Sequence, residues 1–493
     1  MNNIIFEKEL KEKILIALEK IYKTVSITLG PKGKNVIISK DDASPFITND
    51  GVTIANAIKL EDEIENIVVS LVKEAANKTN ENSSDGTTTS IIMTYELYKE
   101  YLNYISKGIT EKQITDEIKE TENKILKLIE NKSIKQIDLQ KIFDIAKISS
   151  SNPLVASLIK KAYSIDKQIN ILLEDSINSQ TTLEIINGMK LDIGFENYLL
   201  IDENKNEIII NNPKIKVFNE IIYDFNDIDK KYDIIICSDY SESIINELIE
   251  YNHKTKEKIY LIKAPYHGEK KEEFLKDIEY FIVEKNIQKI IIKKTQTILY
   301  SDSAHSNKLE ERIKYLKDRE EKEEFEFEKE IIKNRISNLK GIIAIIKVGA
   351  PTELEKIEKK MKIEDAIYSI QKTLNDGICI GGGLTFYNIS KELETISVAD
   401  EILKKVLTKP LKKLLLTSDY NFDDIKDKLK NNIGVNIETN QIENLYDSGV
   451  FDSTKTLKEI IKNSISISIM LLNASSLVIN NNNNQKINLD NIL

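Results

Sequence analysis

Residues 72–89 read VKEAANKTNENSSDGTTT, and the last of them stand directly ahead of a strongly periodic apolar stripe. Ser84 or Asp85 could simply cap a helix there, because short polar side chains accept hydrogen bonds from its first amides. Capping does not explain three consecutive threonines. Their hydroxyls and amides, at the positive end of a helix dipole, suit a polyphosphate. Asp85 is a hard oxygen ligand able to hold Mg²⁺ against such phosphates.

A glycine-rich turn lies upstream, where residues 28–36 read TLGPKGKNV. Its backbone amides can face an anion, and Lys32 and Lys34 add positive charge. It is not a Walker A loop, because Gly30 and Gly33 flank only two residues. A plain turn that ends a helix would use the same residues, so this segment alone does not identify an anion site.

The spacing of apolar residues divides the chain into three parts. Helical stripes run through residues 10–25, 64–75, 91–105 and 114–128, which predicts a helical first block. Between about 171 and 300, short β-branched runs alternate with helical pieces at 241–250 and 269–280, as in an α/β unit. Helical periodicity returns from 353. The simplest description is a β-rich unit inserted into a helical domain.

Composition excludes several classes of protein. The 493 residues carry 70 Lys and Arg against 80 Asp and Glu, a net charge of −10, which argues against a nucleic-acid binder. No apolar run is long enough for a membrane span. Cys237 and Cys379 stand in apolar runs and are interpreted as buried small hydrophobes. We expect a reducing aqueous compartment, either the cytoplasm or an organelle matrix.

Two later segments have more than one interpretation. Residues 379–384 read CIGGGL, and this glycine run permits close approach either by a ligand or by a neighbouring helix. Residues 450–453 read VFDS. Taken alone, Asp452 there is a helix cap.

Together these segments resemble one family, the group I chaperonins of bacteria and organelles. The resemblance also includes NDGVTIANAIKLED (49–62), AIIKVGAPTELE (344–355), KIEDAI (362–367) and VFDSTK (450–455). It covers nearly the whole chain and is thin only between about 190 and 340. It implies a multidomain α/β fold with a helical equatorial domain (1–131 and 376–493), a hinge-like intermediate domain (132–187 and 343–375) and an inserted α/β apical domain (188–342).

The resemblance also implies an activity, an ATPase that drives protein folding. Copies of the chain would form a ring, expected to be seven-fold and either single or double. The apical domains would capture non-native polypeptides and move about hinges near Gly188 and Gly349 when Mg²⁺ and ATP bind. A small co-chaperonin is a further candidate partner, whereas nucleic acid and membrane are not expected.

The family's functional positions map onto this sequence as follows. Asp365 would be the catalytic carboxylate, with Asp50 as a second acid, and Asp85 would hold Mg²⁺. The residues implied in ATP binding are Thr28, Leu29, Gly30, Pro31, Asn49, Asp85, Gly86, Thr87, Thr88, Thr89, Gly382, Asn436, Ile437, Glu438 and Asp452. Those implied in polypeptide binding, on amphipathic apical helices that expose apolar residues, are Ile222, Phe225, Ile245 and Ile249.

Three departures from the family pattern support an alternative function. Asn49 stands where the family has lysine, the adenine segment 436–438 reads Asn-Ile-Glu instead of carrying small alanines, and the apical unit is short. A degenerate ring-forming or client-binding homologue with little ATP turnover would show such changes. Because Asp50, Asp85, the threonines and Asp365 are all present, the ATPase is the favoured interpretation.

Overall fold

The structure is a computed structural model that describes residues 3–40, 43–83, 85–195, 207–255, 257–302 and 306–479. It divides into two compact units, unit 1 (1–160 with 361–493) and unit 2 (161–360). The order predicted from apolar spacing, helical then α/β then helical, is confirmed. The finer division into three domains stays a prediction.

Unit 1 is a helical domain built around one central helix, α4. Residues 90–98 of α4 are all buried, because helices pack against it on several sides, α1, α3 and α17 among them. A helix that is buried all round must be apolar on every face, which the sequence IIMTYELY at 91–98 nearly satisfies. The helices of unit 1 are α1 (Glu7–Val25), α2 (Gly51–Ala57), α3 (Glu63–Ser83), α4 (Thr87–Ile105), α5 (Glu111–Asn131), α6 (Leu139–Ser150), α7 (Pro153–Tyr163), α12 (Glu353–Asp376), α13 (Leu384–Glu392), α14 (Val398–Val406), α15 (Lys409–Leu415), α16 (Phe422–Ile425) and α17 (Thr454–Leu472).

Four small antiparallel pairs of strands complete unit 1. β1 pairs with β17, β2 with β3, β13 with β16 and β14 with β15. The pairing of β13 with β16 sets Asp452 opposite Cys379 and so brings two distant motifs together. The strands are β1 (Asn3–Phe6), β2 (Val36–Lys40), β3 (Ala43–Thr48), β13 (Ile378–Ile380), β14 (Ile433–Asn436), β15 (Gln441–Asn444), β16 (Phe451–Ser453) and β17 (Ser476–Ile479).

Unit 2 is an α/β unit with two sheets. A six-stranded sheet has the order β4-β12-β5-β11-β10-β6, and a smaller parallel sheet has the order β7-β8-β9. Its helices are α8 (Glu242–Lys254), α9 (Glu269–Glu284), α10 (Asn307–Lys322) and α11 (Glu326–Lys340). Its strands are β4 (Asn170–Asp175), β5 (Thr182–Leu191), β6 (Glu207–Asn211), β7 (Ile215–Ile222), β8 (Ile234–Tyr240), β9 (Tyr260–Lys263), β10 (Ile287–Lys293), β11 (Thr297–Ser301) and β12 (Ile342–Val348).

The two glycines predicted as hinges both lie at close backbone contacts within unit 2. A Cβ at Gly188 would fall 2.1 Å from the Leu299 carbonyl oxygen, and one at Gly349 would fall 2.2 Å from that of Asn178. Neither position admits a side chain, and a hinge role there remains a prediction. Among all the helices of the described ranges, none has the length and apolar character needed to cross a membrane.

The predicted exposure of the polypeptide-binding residues is partly wrong. Ile222 ends strand β7 and Phe225 lies in a 3-10 turn, and both side chains are buried in a small core that α8 helps to form. Ile245 and Ile249 do lie on a helix, α8, but both are half-buried, and Ile249 packs against the same core. Ile221 and Tyr223, the neighbours of Ile222, are the exposed apolar residues here, at 44% and 69%.

All three arginines of the chain, against 67 lysines, lie around one pair of acids in unit 2. Arg312 and Arg335 each bond both Asp277 and Glu273, at 2.5–3.0 Å, and so tie α10 and α11 to α9. Burial opposes the charge on Glu273, but the two guanidiniums keep its pKa below the usual value. Lysine cannot replace arginine here, because one ammonium cannot span two carboxylates with fixed geometry.

We expect the Arg335→Ala variant to lower the free energy of unfolding of unit 2 by about 3 kcal/mol, because it leaves Asp277 and Glu273 with one fewer buried partner. Arg319→Ala is the matched control, since its guanidinium is 41% exposed and lies 3.6 Å from Glu273; its cost should stay below about 1 kcal/mol. Urea unfolding followed by circular dichroism measures both. Equal decreases in the free energy of unfolding for the two variants would contradict a special role for Arg335 in holding Asp277 and Glu273.

Candidate nucleotide site

Helix α4 begins with backbone amides that no side chain caps. Its N-cap is Gly86, in the left-handed conformation with φ 86°, which has no side chain to bond the first turn. Asp85 does not cap it either, because its carboxylate accepts a 2.6 Å bond from the amide of Gly86. The hydroxyl of Thr87 is buried without a partner among the described residues. Amides and a hydroxyl left in this state at a helix N-terminus fit a bound anion.

Two further segments converge on this helix start. The hydroxyl of Thr28 lies 3.5 Å from that of Thr88. A Cβ added to Gly51 would fall 2.3 Å from the Thr88 hydroxyl, so the start of α2 abuts the start of α4. The structure therefore brings together the segments at 28, 50–51 and 85–89, as the sequence predicted.

The glycine-rich turn contributes fewer amides than its sequence indicated. The amide of Gly33 donates to the Gly30 carbonyl and that of Lys34 to the Ile27 carbonyl, both at 2.9 Å. The expectation that the amides of this turn face an anion is therefore wrong for these two. Leu29 is half-buried, whereas Pro31, Lys32, Lys34 and Asn49 are exposed.

Four carboxyl groups interact electrostatically around the same place. Burial, followed by the charges of Asp50 and Asp85, raises the pKa of Asp365 to about 7. Burial, followed by the charge of Asp85, raises the pKa of Asp452 to about 7. Burial is also the main cause that raises the pKa of Asp85, although part of this residue is exposed to solvent. For Asp85, Asp365 and Asp452, surrounding protein replaces much of the water that would stabilise their charges.

The hydrogen bonds of these acids show which of them act as helix caps. Asp50 is the N-cap of α2, where it accepts bonds from the amides of Val52 and Thr53. Asp452 is not a cap, because α17 begins after Ser453 without any side-chain cap. Asp85 and Asp452 are thus not explained as caps, and Asp365 projects from the middle of α12 into the same field of charge.

The donor set fits Mg²⁺ held jointly by the protein and a polyphosphate. No group of three or more His, Cys, Asp or Glu side chains that could hold an ion by itself occurs in the described part of the chain. Mg²⁺ is commonly bound through one or two carboxylates together with substrate phosphates, so Asp85 beside the uncapped α4 amides suffices.

The residues implied for the base and the ribose form a second wall next to these acids. Gly382 has φ 64°, and a Cβ there would lie 3.9 Å from the Val435 carbonyl oxygen, so the glycine run adjoins β14. Ile437 is buried. Asn436 donates to Glu443 at 2.7 Å and accepts from the Glu438 amide at 3.0 Å, so its side chain is held by internal bonds.

Sequence reasoning missed one residue on this wall. Lys147, near the end of α6, forms an ion pair with Glu438 at 3.3 Å. The two residues are 291 positions apart, and no local pattern marks Lys147. A signal existed only at Glu438, an acid at a position where the family has small residues.

The raised pKa of Asp365 predicts that the stability of the folded protein depends on pH when nucleotide and divalent cations are absent. The folded protein holds this proton up to about pH 7, whereas the unfolded chain releases it near the ordinary aspartate pKa of 3.8. The group's contribution to the free energy of unfolding therefore decreases as pH rises through this range. We expect Asp365→Asn to melt at a higher temperature than wild type at pH 8, with the difference shrinking towards pH 5.

The control for this experiment is Glu394→Gln, which removes an exposed carboxylate elsewhere in unit 1. Its melting temperature should follow wild type at both pH values in differential scanning fluorimetry. An Asp365→Asn variant that melts below wild type at pH 8 would exclude the cluster of interacting carboxylates.

Comparisons with known proteins identify the fold and the family of the chain. The chaperonin gp146 of the bacteriophage EL 2 (Pseudomonas aeruginosa), crystallised in the presence of ATP-BeFx, shares the fold in two crystal forms. Form II has 21% sequence identity and a TM-score of 0.76, and form I has 20% and 0.77; each comparison covers 97% of this chain and 99% of the phage protein. The multidomain chaperonin fold expected from the sequence is thereby confirmed. The TCP-1/cpn60 chaperonin family model matches residues 21–482, and the chain therefore belongs to that family.

Proposed function

We propose that this chaperonin hydrolyses ATP with Mg²⁺ at the group of acids beside the starts of α2 and α4 in unit 1, and uses the cycle to fold other proteins. One observation carries the proposal. Asp365 on α12 interacts electrostatically with Asp50 and Asp85, which flank the starts of α2 and α4. A carboxyl group with a pKa about 7 beside an uncapped helix N-terminus combines a proton acceptor with a polyphosphate site.

Each residue has a distinct part in the proposed reaction. The amides and hydroxyls of residues 87–89 bind phosphate oxygens, and Asp85 holds Mg²⁺, which neutralises phosphate charge when bound. Asp365 orients the attacking water and accepts its proton. Asp50 fixes the start of α2 and supplies a second acid.

The other end of the nucleotide is assigned to the second wall. Asp452 accepts bonds from the ribose hydroxyls, and Gly382 allows the ribose to approach the backbone. Ile437 provides an apolar side for the base. The phage chaperonin crystallised with ATP-BeFx supports nucleotide use in a protein of this fold.

The central test is phosphate release from Mg-ATP by the purified protein. We expect Asp365→Ala to reduce the rate at least about 100-fold, because it removes the proton acceptor, while ADP binding is retained. Asp85→Ala should instead weaken Mg²⁺-dependent binding. Glu394→Ala is the control and should match wild type.

The same assay decides between the ATPase and a second candidate function. Asn49, exposed beside Asp50, gives the site one positive charge fewer than the lysine usual in the family, which favours a client-binding homologue with little turnover. Wild type as inactive as Asp365→Ala would establish that alternative. Recovery of a denatured client with and without ATP then separates a folding machine from a holding protein.

Assembly into rings is supported by two small sheets of unit 1. Ile37 and Ile47 lie directly opposite each other on the β2–β3 hairpin, yet they are 71% and 61% exposed. Phe6 and Val478, on the sheet of β1 and β17, are 63% and 53% exposed. Two-stranded sheets are marginal alone, and their edges can pair with another chain. We assign these surfaces to contacts between copies, in a ring of seven.

The Ile37→Glu, Ile47→Glu double variant tests the ring. Each isoleucine is worth about 2 kcal/mol when buried, so charges there should shift the sedimenting species towards the monomer. The control is Ile396→Glu, at a residue 78% exposed elsewhere in unit 1, which should leave the particle intact. Identical sedimentation of the double variant and wild type would remove the hairpin from the interface.

Non-native polypeptides are assigned to unit 2. A cavity of about 670 Å³ is lined by Phe218, Glu220, Ile221, Tyr223 and Asp227. Exposed apolar groups beside a cavity suit an unfolded chain better than the buried Ile222 and Phe225 do. ATP would release the client by binding one arrangement of the chain better than another.

A further inference from the structure

Helix α6 lies along the chain between Glu438, in the segment assigned to the base, and Gly449. Lys141 lies 5.3 Å from the centre of the Tyr446 ring. Asp144 packs so closely on Gly449 that a Cβ there would fall 2.5 Å from its carboxyl carbon. One turn further on, the Lys147 ammonium meets the Glu438 carboxylate at 3.3 Å.

Glu438 and Lys147 are the charged pair at the edge of this wall. Asn436 is held by Glu443 and by the Glu438 amide, and Ile437 is buried. The side chains of Glu438 and Lys147 are 61% and 39% exposed, so they keep hydrogen-bonding capacity beyond their mutual contact. Their pairing fixes a strong acceptor next to a strong donor.

The pair of Glu438 and Lys147 matches the hydrogen-bonding edge of guanine better than that of adenine. Guanine presents two adjacent donors, N1–H and the N2 amino group, which one carboxylate can accept together, and its O6 accepts from an ammonium. Adenine presents one amino donor and one ring acceptor, so it would make fewer hydrogen bonds with Glu438 and Lys147. Polar groups placed in this way discriminate strongly between ligands that differ in donors and acceptors.

We propose that Glu438 and Lys147 are specificity residues that read the base edge and let the site bind guanine as well as adenine nucleotides. The inference rests on the proposed function, because the phosphates must occupy the α4 start for a base to reach this wall. As an exposed surface ion pair the two side chains would contribute little to stability. Their effect should therefore be on ligand choice.

Calorimetric titration of the full-length protein with Mg-ADP and Mg-GDP tests the proposal without turnover. We expect wild type to bind GDP within about 10-fold of ADP. Glu438→Gln should weaken the binding of GDP about 10-fold or more and that of ADP less than about 3-fold, since it removes the carboxylate that accepts two hydrogen bonds. Lys147→Ala should weaken GDP by a smaller factor.

The matched control is the Glu250→Gln, Lys254→Ala double variant, which removes an exposed ion pair in unit 2 and should change neither affinity. Asp85→Ala should weaken both ligands alike, because it acts at the phosphates. The inference is overturned if wild type binds GDP more than about 100-fold more weakly than ADP. It is also overturned if Glu438→Gln changes the affinity for both ligands equally. Either result leaves the proposed ATPase function standing. Wild type that binds neither nucleotide overturns the proposed function and this inference with it.

Discussion

The chemistry proposed for unit 1 depends on acids near two helix starts whose charges are opposed first by burial and then by one another. Burial, followed by the charges of Asp50 and Asp85, raises the pKa of Asp365 to about 7, and burial, followed by the charge of Asp85, raises the pKa of Asp452 to about 7. Such a cluster is costly for an empty protein and favourable once cations arrive. Under the proposed function, the free energy of binding Mg²⁺ with a nucleotide would include relief of repulsion that already exists in the fold.

The amides that face this cluster are available for a simple reason. Glycine at position 86 starts α4 in the left-handed conformation and has no side chain to bond the first turn. A serine or aspartate cap would stabilise the helix by only about 0.3 kcal/mol relative to glycine, and it would occupy the donors. Local helix stability is lower here than it could be, as is common where backbone groups are reserved for a ligand.

Much of the fold and part of the site could be predicted from sequence. Helical spacing located α1, α3, α4 and α5, because amphipathic periodicity is a local property. The adjacent Ile221 and Ile222 show its limit, since two neighbouring apolar residues do not reveal which one faces the core. Lys147 with Glu438, and the three arginines around Glu273, could not be predicted, because tertiary folding alone brings such distant residues together.

One feature of chain order has a consequence for biosynthesis. Strand β1 pairs with β17, and α17 packs on α4, so unit 1 needs both early and late parts of the sequence, whereas unit 2 is continuous from 161 to 360. On a ribosome adding roughly 5–20 residues per second, the apolar surface of α4 would wait roughly a quarter of a minute to a minute for α17. During its own translation, this member of the chaperonin family thus passes through a state in which apolar surface of α4 lacks its partner helix.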